Sequence, residues 1–285
     1  MNKSLNILFV SPEVFPFART GGLADVSRSL PKALVSLGHD VRVIMPFYRC
    51  VSESGFKADK LLENIRHPVS GRIFGFDLFQ NGSDGVTTYF VRNEKYFSRD
   101  GLYGTAGADY PDNALRFSFF SKAALAAVKA VGFRPDIIHC NDWQSALIPL
   151  YLRSRLADDA YYGGIKTLFT VHNLAYQGVF GKKSMRGLGV PPDLFNMNGL
   201  EFHGKVNFMK AGIIYSDAIS TVSRRYAREV MTPEYGCGLE GLLKAREHDL
   251  SGILNGVDYD VWSPEKDRFI TPNYGTGSIE NKRIC

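Results

Sequence analysis

The sequence predicts an α/β protein: a Rossmann-like, doubly wound, mainly parallel sheet with an antiparallel hairpin insertion beside it. Three observations carry this reading. Short apolar runs rich in β-formers alternate with segments of helical periodicity along most of the chain. The first run and the first helix are joined through a loop ending in Gly21-Gly22. Polar side chains follow the ends of several runs, where open α/β sheets bind their ligands.

The elements follow in order. Asn6–Ser11 is a buried strand bounded by Pro12 and Glu13. Leu23, Val26, Leu30, Ala33, Leu34 and Leu37 then recur at helical spacing up to Gly38. Pro31 lies inside that pattern, so the helix should bend there or start late. Asp40–Met45 is the second strand and completes a βαβ unit. Ile73–Gln80 and Val86–Asn93 alternate and are joined by Asn81-Gly82-Ser83-Asp84-Gly85, a hairpin signal. Asp112–Val131 is a long helix closed by Gly132. The βα pattern resumes with strand Ile137–Cys140, helix Gln144–Arg155 and strand Thr167–Val171. Helix Lys205–Tyr215, strand Ala218–Val222, helices Tyr226–Met231 and Leu239–Glu247, and strand Gly252–Leu254 complete it. The last residues, 263–285, read as a linker and the start of a further element beyond a domain of residues 1–262.

Composition bounds the function. With 285 residues, 45% hydrophobic and 22% charged, the chain suits a globular protein with a sizeable core. A net charge of +5 without long like-charge runs argues against a nucleic-acid arm. No apolar stretch reaches membrane-spanning length. Cys50, Cys140, Cys237 and Cys285 show no C-x-x-C spacing, which gives no zinc or redox motif and fits a reducing, cytoplasmic setting.

The chemistry-bearing residues sit at the strand tips. Arg19-Thr20-Gly21-Gly22 follows the first strand: a glycine turn at a helix N-terminus, with a fixed cation, suits a phosphate. Its bland reading is a tight turn beside a solvated arginine. Asn141-Asp142-Trp143-Gln144 and His172-Asn173 follow two later strands, and Asn255 the last. A carboxylate, amides, an imidazole and an indole together suit a sugar, whose hydroxyls need donors and acceptors and whose ring face stacks on aromatics. Taken singly, Asp142 reads as a helix N-cap and His172 as a core histidine; their joint placement at strand tips favours a site. Asp258-Tyr259-Asp260 has the D-x-D form of a metal motif but sits in a turn-rich segment and reads as loop chemistry. A nicotinamide dehydrogenase is disfavoured: no G-x-G-x-x-G follows the first strand and no acid ends the second.

These segments together resemble the bacterial glycogen synthase and plant starch synthase family. The resemblance lies in SPEVFPFARTGGLADV, GHDVRVIMPFY, DGLYG, DYPDNALRFSFF, PDIIHCNDWQSAL, TLFTVHNLAYQGVF, FMKAGIIYSDAISTVS, TPEYGCGLEGLL and GILNGVDYDVW, in that order across nearly the whole chain. It implies the N-terminal, acceptor-side domain of a two-domain GT-B fold. It implies retaining transfer of glucose from ADP-glucose to an α-1,4-glucan, with no metal or other cofactor. By position, Gly21 and Gly22 would border the diphosphate, with Thr20 and Arg19 in the same phosphate-contacting motif, Arg19 standing where the family usually has lysine; Asp25 would also belong to the substrate-binding residues. Asp142, Trp143, Gln144, His172 and Asn173 would line the sugar pocket, with His172 and Asp142 the catalytic pair, and Tyr103 and Asn255 would help hold the sugar. The nucleotide-holding domain is expected to be a second one, in cis or in trans, and this chain alone is expected to show little activity. The competing reading is a non-catalytic α-glucan-binding module.

Overall fold

The chain divides into two compact units, Met1–Leu254 and Asn255–Cys285. The computed structural model describes residues 3–69, 72–82 and 85–285.

The first unit is built on nine strands: β1 (Asn6–Val10), β2 (Asp40–Pro46), β3 (Asp59–Val69), β4 (Arg72–Asn81), β5 (Thr87–Arg92), β6 (Ile137–Asn141), β7 (Lys166–Val171), β8 (Ala218–Thr221) and β9 (Leu250–Gly252). They lie side by side in the order β9-β8-β7-β6-β1-β2-β5-β4-β3. From β9 to β5 every neighbouring pair is parallel. Ile7, Leu8, Phe9 and Val10 are all buried, as a parallel strand covered on both faces requires. The order reverses at β1, whose neighbours are β2 and β6, so the crevice for a ligand opens beyond their C-terminal ends.

The expected hairpin forms, but it does not stand beside the sheet. β5 pairs in parallel with β2, and β4 and β3 extend the same sheet antiparallel to its edge. The reason is burial: Tyr89, Phe90 and Val91 are consecutive and all buried, so β5 needs neighbours on both faces and both edges. Ser83 and Asp84 of the joining turn lie outside the described residues. β3 escaped the sequence reading because Lys60, Glu63, Asn64 and Arg66 break its alternation; charge of this kind suits an edge strand.

Helix α1 (Gly22–Ser36) starts at the glycine turn and runs through Pro31, so it does not start late. Gly38, at φ +92°, provides the left-handed stop. Helix α2 (Asn113–Ala130) is buried on nearly every side, which makes it a core element rather than a surface amphipath. Helix α3 (Leu147–Arg153) starts later than Gln144 because Asp142–Ala146 is spent on turns. Helix α4 (Phe208–Tyr215) starts later than Lys205: Lys205–Asn207 pairs as a short strand with Val179–Gly181, and the Asn207 side chain accepts the Lys210 N–H as a cap. Helices α5 (Arg224–Glu229) and α6 (Glu240–Ala245) follow. β9 lies two residues before the expected strand, at Leu250–Gly252. Its Gly252 is needed for close approach, since a Cβ there would lie 2.4 Å from the Ser223 carbonyl oxygen.

The second unit is rich in turns. Asn273 donates its side-chain amide to the Pro264 and Asp267 carbonyls, and a 3-10 run spans Thr276–Arg283.

Candidate active site at the strand tips

The β1 tip is organised by a residue the sequence reading passed over. Glu13 is buried, at 4% exposure. Its Oε2 accepts the backbone N–H of Thr20 (2.5 Å) and of Gly21 (3.3 Å). Its Oε1 accepts the hydroxyls of Thr20 (2.6 Å) and Tyr103 (2.6 Å). One carboxylate thus pins the glycine turn to a tyrosine ninety residues away. The signal was present: a lone acid between Val10, Pro12, Val14 and Phe15 is a warning of a buried, partnered charge.

The glycine turn is open. Gly21 is in ordinary extended backbone, at φ −155°. A Cβ added at either Gly21 or Gly22 would meet no atom within 4 Å. Neither conformation nor internal crowding therefore requires glycine; what the missing side chains leave is free approach to the backbone at a helix N-terminus. With Glu13 holding the Thr20 and Gly21 amides, those of Gly22 and Leu23 donate to nothing among the described residues. Arg19 and Asp25 pair across this opening at 3.2 Å.

At the adjacent β6 tip, Asp142 has a left-handed backbone, φ +55°, which aspartate tolerates better than most residues. It does not cap a helix. Its carboxylate accepts the His172 N–H at 2.8 Å, and the Asn173 backbone amide also favours its charged form. Burial pushes the Asp142 carboxyl up to about 7; those two backbone donors work against this and the charge of Glu13 adds to it. At neutral pH the group is therefore poised between acid and base.

His172 is oriented by Asn141, which is fully buried and donates its side-chain amide to the Val10 carbonyl (3.0 Å). That leaves Asn141 Oδ1 to face His172 Nε2 at 3.0 Å. The Nε2–H therefore donates to Asn141, and Nδ1 is the acceptor on the ring. Burial pushes the His172 imidazole down to about 4, so it is neutral at physiological pH. Asn141 thus ties the tip of β1 to the residue following β7.

The remaining predicted residues fall as follows. Trp143 is walled in: Phe117 lies at 4.9 Å, Phe180 at 5.6 Å and Phe208 at 6.2 Å between ring centroids. Gly178, at φ +62°, presses on its face, where a Cβ would lie 2.5 Å from the indole. The large aromatic left open on that loop is Tyr176, 68% exposed. Gln144 is buried with its Oε1 unpartnered among the described residues. Asn173 is exposed and its side chain accepts the Ala175 N–H in a local turn. Asn255 opens the second unit. Asp258 likewise belongs to that unit and accepts the Asp260 N–H within its own turn. Among the described residues no cluster of three or more His, Cys, Asp or Glu is placed to hold a metal ion.

The first unit thus has a Rossmann-type sheet whose switch point carries an open glycine turn beside a neutral imidazole, a carboxyl poised near 7 and a tyrosine. In open α/β sheets such a switch point is where ligands bind. The sequence matches the family model described as the starch synthase catalytic domain over residues 6–245, and the chain belongs to that family. It is 47% identical to a glycogen synthase of Geotalea daltonii over 278 residues, covering 98% of this chain and 57% of that protein. It is 48% identical to a glycogen synthase of Myxococcus xanthus over 288 residues, covering 99% of this chain and 59% of that protein. Among solved structures, the catalytic domain of starch synthase IV from Arabidopsis thaliana bound to ADP and acarbose superposes with a TM-score of 0.85 at 31% identity, covering 98% of this chain and 57% of that one. The chain therefore spans somewhat over half the length of these relatives. No helix among the described residues is long and apolar enough to cross a membrane.

Proposed function

We propose that this chain supplies the acceptor-side half of a site that transfers glucose from ADP-glucose to the non-reducing 4-hydroxyl of an α-1,4-glucan, with retention and without a metal. The observation that supports this best is that two hydrogen-bonded sets stand at neighbouring strand tips: Glu13 with the Thr20–Gly21 turn and Tyr103, and Asp142, whose carboxyl feels the Glu13 charge, with His172. Membership of the starch synthase catalytic domain family supports it, as does likeness to a structure that holds ADP and acarbose.

In this reading the free amides of Gly22 and Leu23 face the diphosphate, and Arg19 adds charge beside them. His172 offers Nδ1 as acceptor to a sugar hydroxyl. Asp142, near its midpoint of titration, can donate to or accept from a second one. Glu13 is a positioning residue that holds the turn and Tyr103 in register. Thr20 and Asp25 shape the turn, and Trp143 and Gln144 seat the loop beneath the sugar. Asn173 is assigned to the sugar side by family position alone. Diphosphate and adenine would be held chiefly by the family's second domain, in cis or in trans. The protein is placed in the cytoplasm, with neither nucleic acid nor membrane as partner; its four free cysteines suit that compartment.

The test is glucosyl transfer from ADP-glucose to maltodextrin, with the chain mixed with the C-terminal domain of the Geotalea daltonii relative. Transfer well above that of either part alone is expected, with a loss of about tenfold or more in His172→Ala. Glucan binding with no transfer in the mixture would instead identify a glucan-binding module.

A further inference from the structure

Away from the strand tips, a cavity of about 660 Å³ is bounded by α2, β4 and the short helix Met185–Leu188. It has the size of a small-molecule site and shares no lining residue with the strand-tip cluster. Its wall has two characters. Phe76 and Phe119 present an aromatic surface, their rings in edge contact at 6.3 Å. Lys95, Lys122, Lys183 and Arg186 present four cations. The acid on the wall, Asp112, is already held by Arg99 through two hydrogen bonds of 2.7 Å, which draw its carboxyl below the usual range.

Lys122 is the informative residue. It is 8% exposed in the middle of α2, and among the described residues its ammonium meets no hydrogen-bond acceptor; its contact is the face of Tyr151, 5.2 Å away. Burial, with Arg155 adding to it, pushes Lys122 down to about 7. Lys210 shows how this fold satisfies a buried ammonium when its role is structural. Equally buried at 8%, it donates to the Met197 and Glu201 carbonyls at 2.7 and 2.5 Å. A buried cation without a counter-charge is unfavourable, and leucine or methionine would fill the same space without the penalty. Nearby, a Cβ on Gly187 would lie 2.0 Å from a Leu115 methyl, so the short helix is pressed onto α2 and holds Arg186 against the cavity.

We propose that this cavity binds a small organic anion with a flat apolar body: the anionic group on Lys122, Lys183 and Arg186, and the body against Phe76 and Phe119. A neutral sugar is a poor match, because among the described residues the lining carries no amide side chain and no unpaired carboxylate to receive hydroxyl protons. The site is independent of the transfer reaction proposed above.

The experiment uses two fluorescent probes that share one aromatic body and differ by a sulfonate group: 1-anilinonaphthalene-8-sulfonate and the uncharged N-phenyl-1-naphthylamine. The wild-type chain is expected to bind the sulfonate saturably, about tenfold or more tighter than the amine. Lys122→Met is expected to remove about that factor for the sulfonate and leave the amine unchanged. Arg19→Met, at the strand tips, should leave sulfonate affinity within about twofold. The double variant Lys183→Met/Arg186→Met changes exposed side chains and reports on the site without touching the core; a weakening of about threefold or more is expected. Equal affinity of the two probes for the wild type, or wild-type sulfonate affinity in both lysine variants, would overturn the proposal.

Discussion

At the strand tips the buried carboxylate of Glu13 meets four donors, whereas in the α2 cavity the buried ammonium of Lys122 meets no hydrogen-bond partner among the described residues. Both side chains are largely buried, but the protein's own groups satisfy only the first. A fully satisfied charge is part of the scaffold: it fixes the Thr20–Gly21 amides and Tyr103 and leaves their neighbours free for a ligand. An unsatisfied one lowers stability and stores affinity for whatever brings the missing charge. Asp142 lies between the two, held by backbone donors yet still pushed up to about 7.

Breaking the satisfied charge should have the largest effect. Glu13→Gln places an amide NH₂ against donors on at least one side of the group. It is expected to cost about 3 kcal/mol in denaturant unfolding, with transfer activity falling alongside.

The intermediate case can be read through pH. Asp142 has its folded pKa raised from the ordinary carboxyl value to about 7, so its ionisation opposes folding: the penalty is absent near pH 4, grows as pH rises, and is complete above 7. The stability of Asp142→Asn relative to wild type should therefore rise between pH 4 and 7, by roughly 1–3 kcal/mol in thermal unfolding. His172 shifts the other way. Its folded pKa is depressed to about 4, so its contribution is present above the ordinary histidine value and is lost as pH falls toward 4.

Removing the unsatisfied charge should stabilise the fold. Lys122 has its folded pKa depressed to about 7, so wild type is penalised increasingly as pH falls from about 10 toward 7. Lys122→Met is expected to gain about 1 kcal/mol at pH 7, with the gain shrinking as pH rises toward 10 in the same assay.

The smallest effect on folding belongs to the open turn. Gly21→Ala meets nothing and needs no unusual backbone, so stability should change by less than about 0.5 kcal/mol. If the turn is where diphosphate approaches, transfer in the complemented assay should nevertheless fall by about tenfold or more. A destabilised Gly21→Ala, or one with wild-type transfer, would contradict the open-turn reading.

Much of the fold was legible because its signals are local. The apolar runs of β1, β2, β6 and β7, the glycine stops at Gly38 and Gly132 and the periodicity of α1 and α2 each lie within a short stretch of sequence. Offsets occurred where a local pattern competed with a distant partner. Lys205–Asn207 has helical neighbours but pairs with Val179–Gly181. Gly252 ends β9 because the chain passes Ser223 too closely for any side chain. β3 is a strand because the edge of β4 was available to it.

By itself the sequence determined which residue types stand after which strands, and so which chemistry the tips can carry, because strand ends are marked by adjacent residues. Only the tertiary structure decided how those residues act. Glu13 meets Tyr103, Asn141 sets the tautomer of His172, Trp143 is buried under Gly178, and Lys122 faces a cavity, each through contacts between positions far apart in the chain. Burial and hydrogen-bond satisfaction are properties of that assembled arrangement, and no window of neighbouring residues contains them.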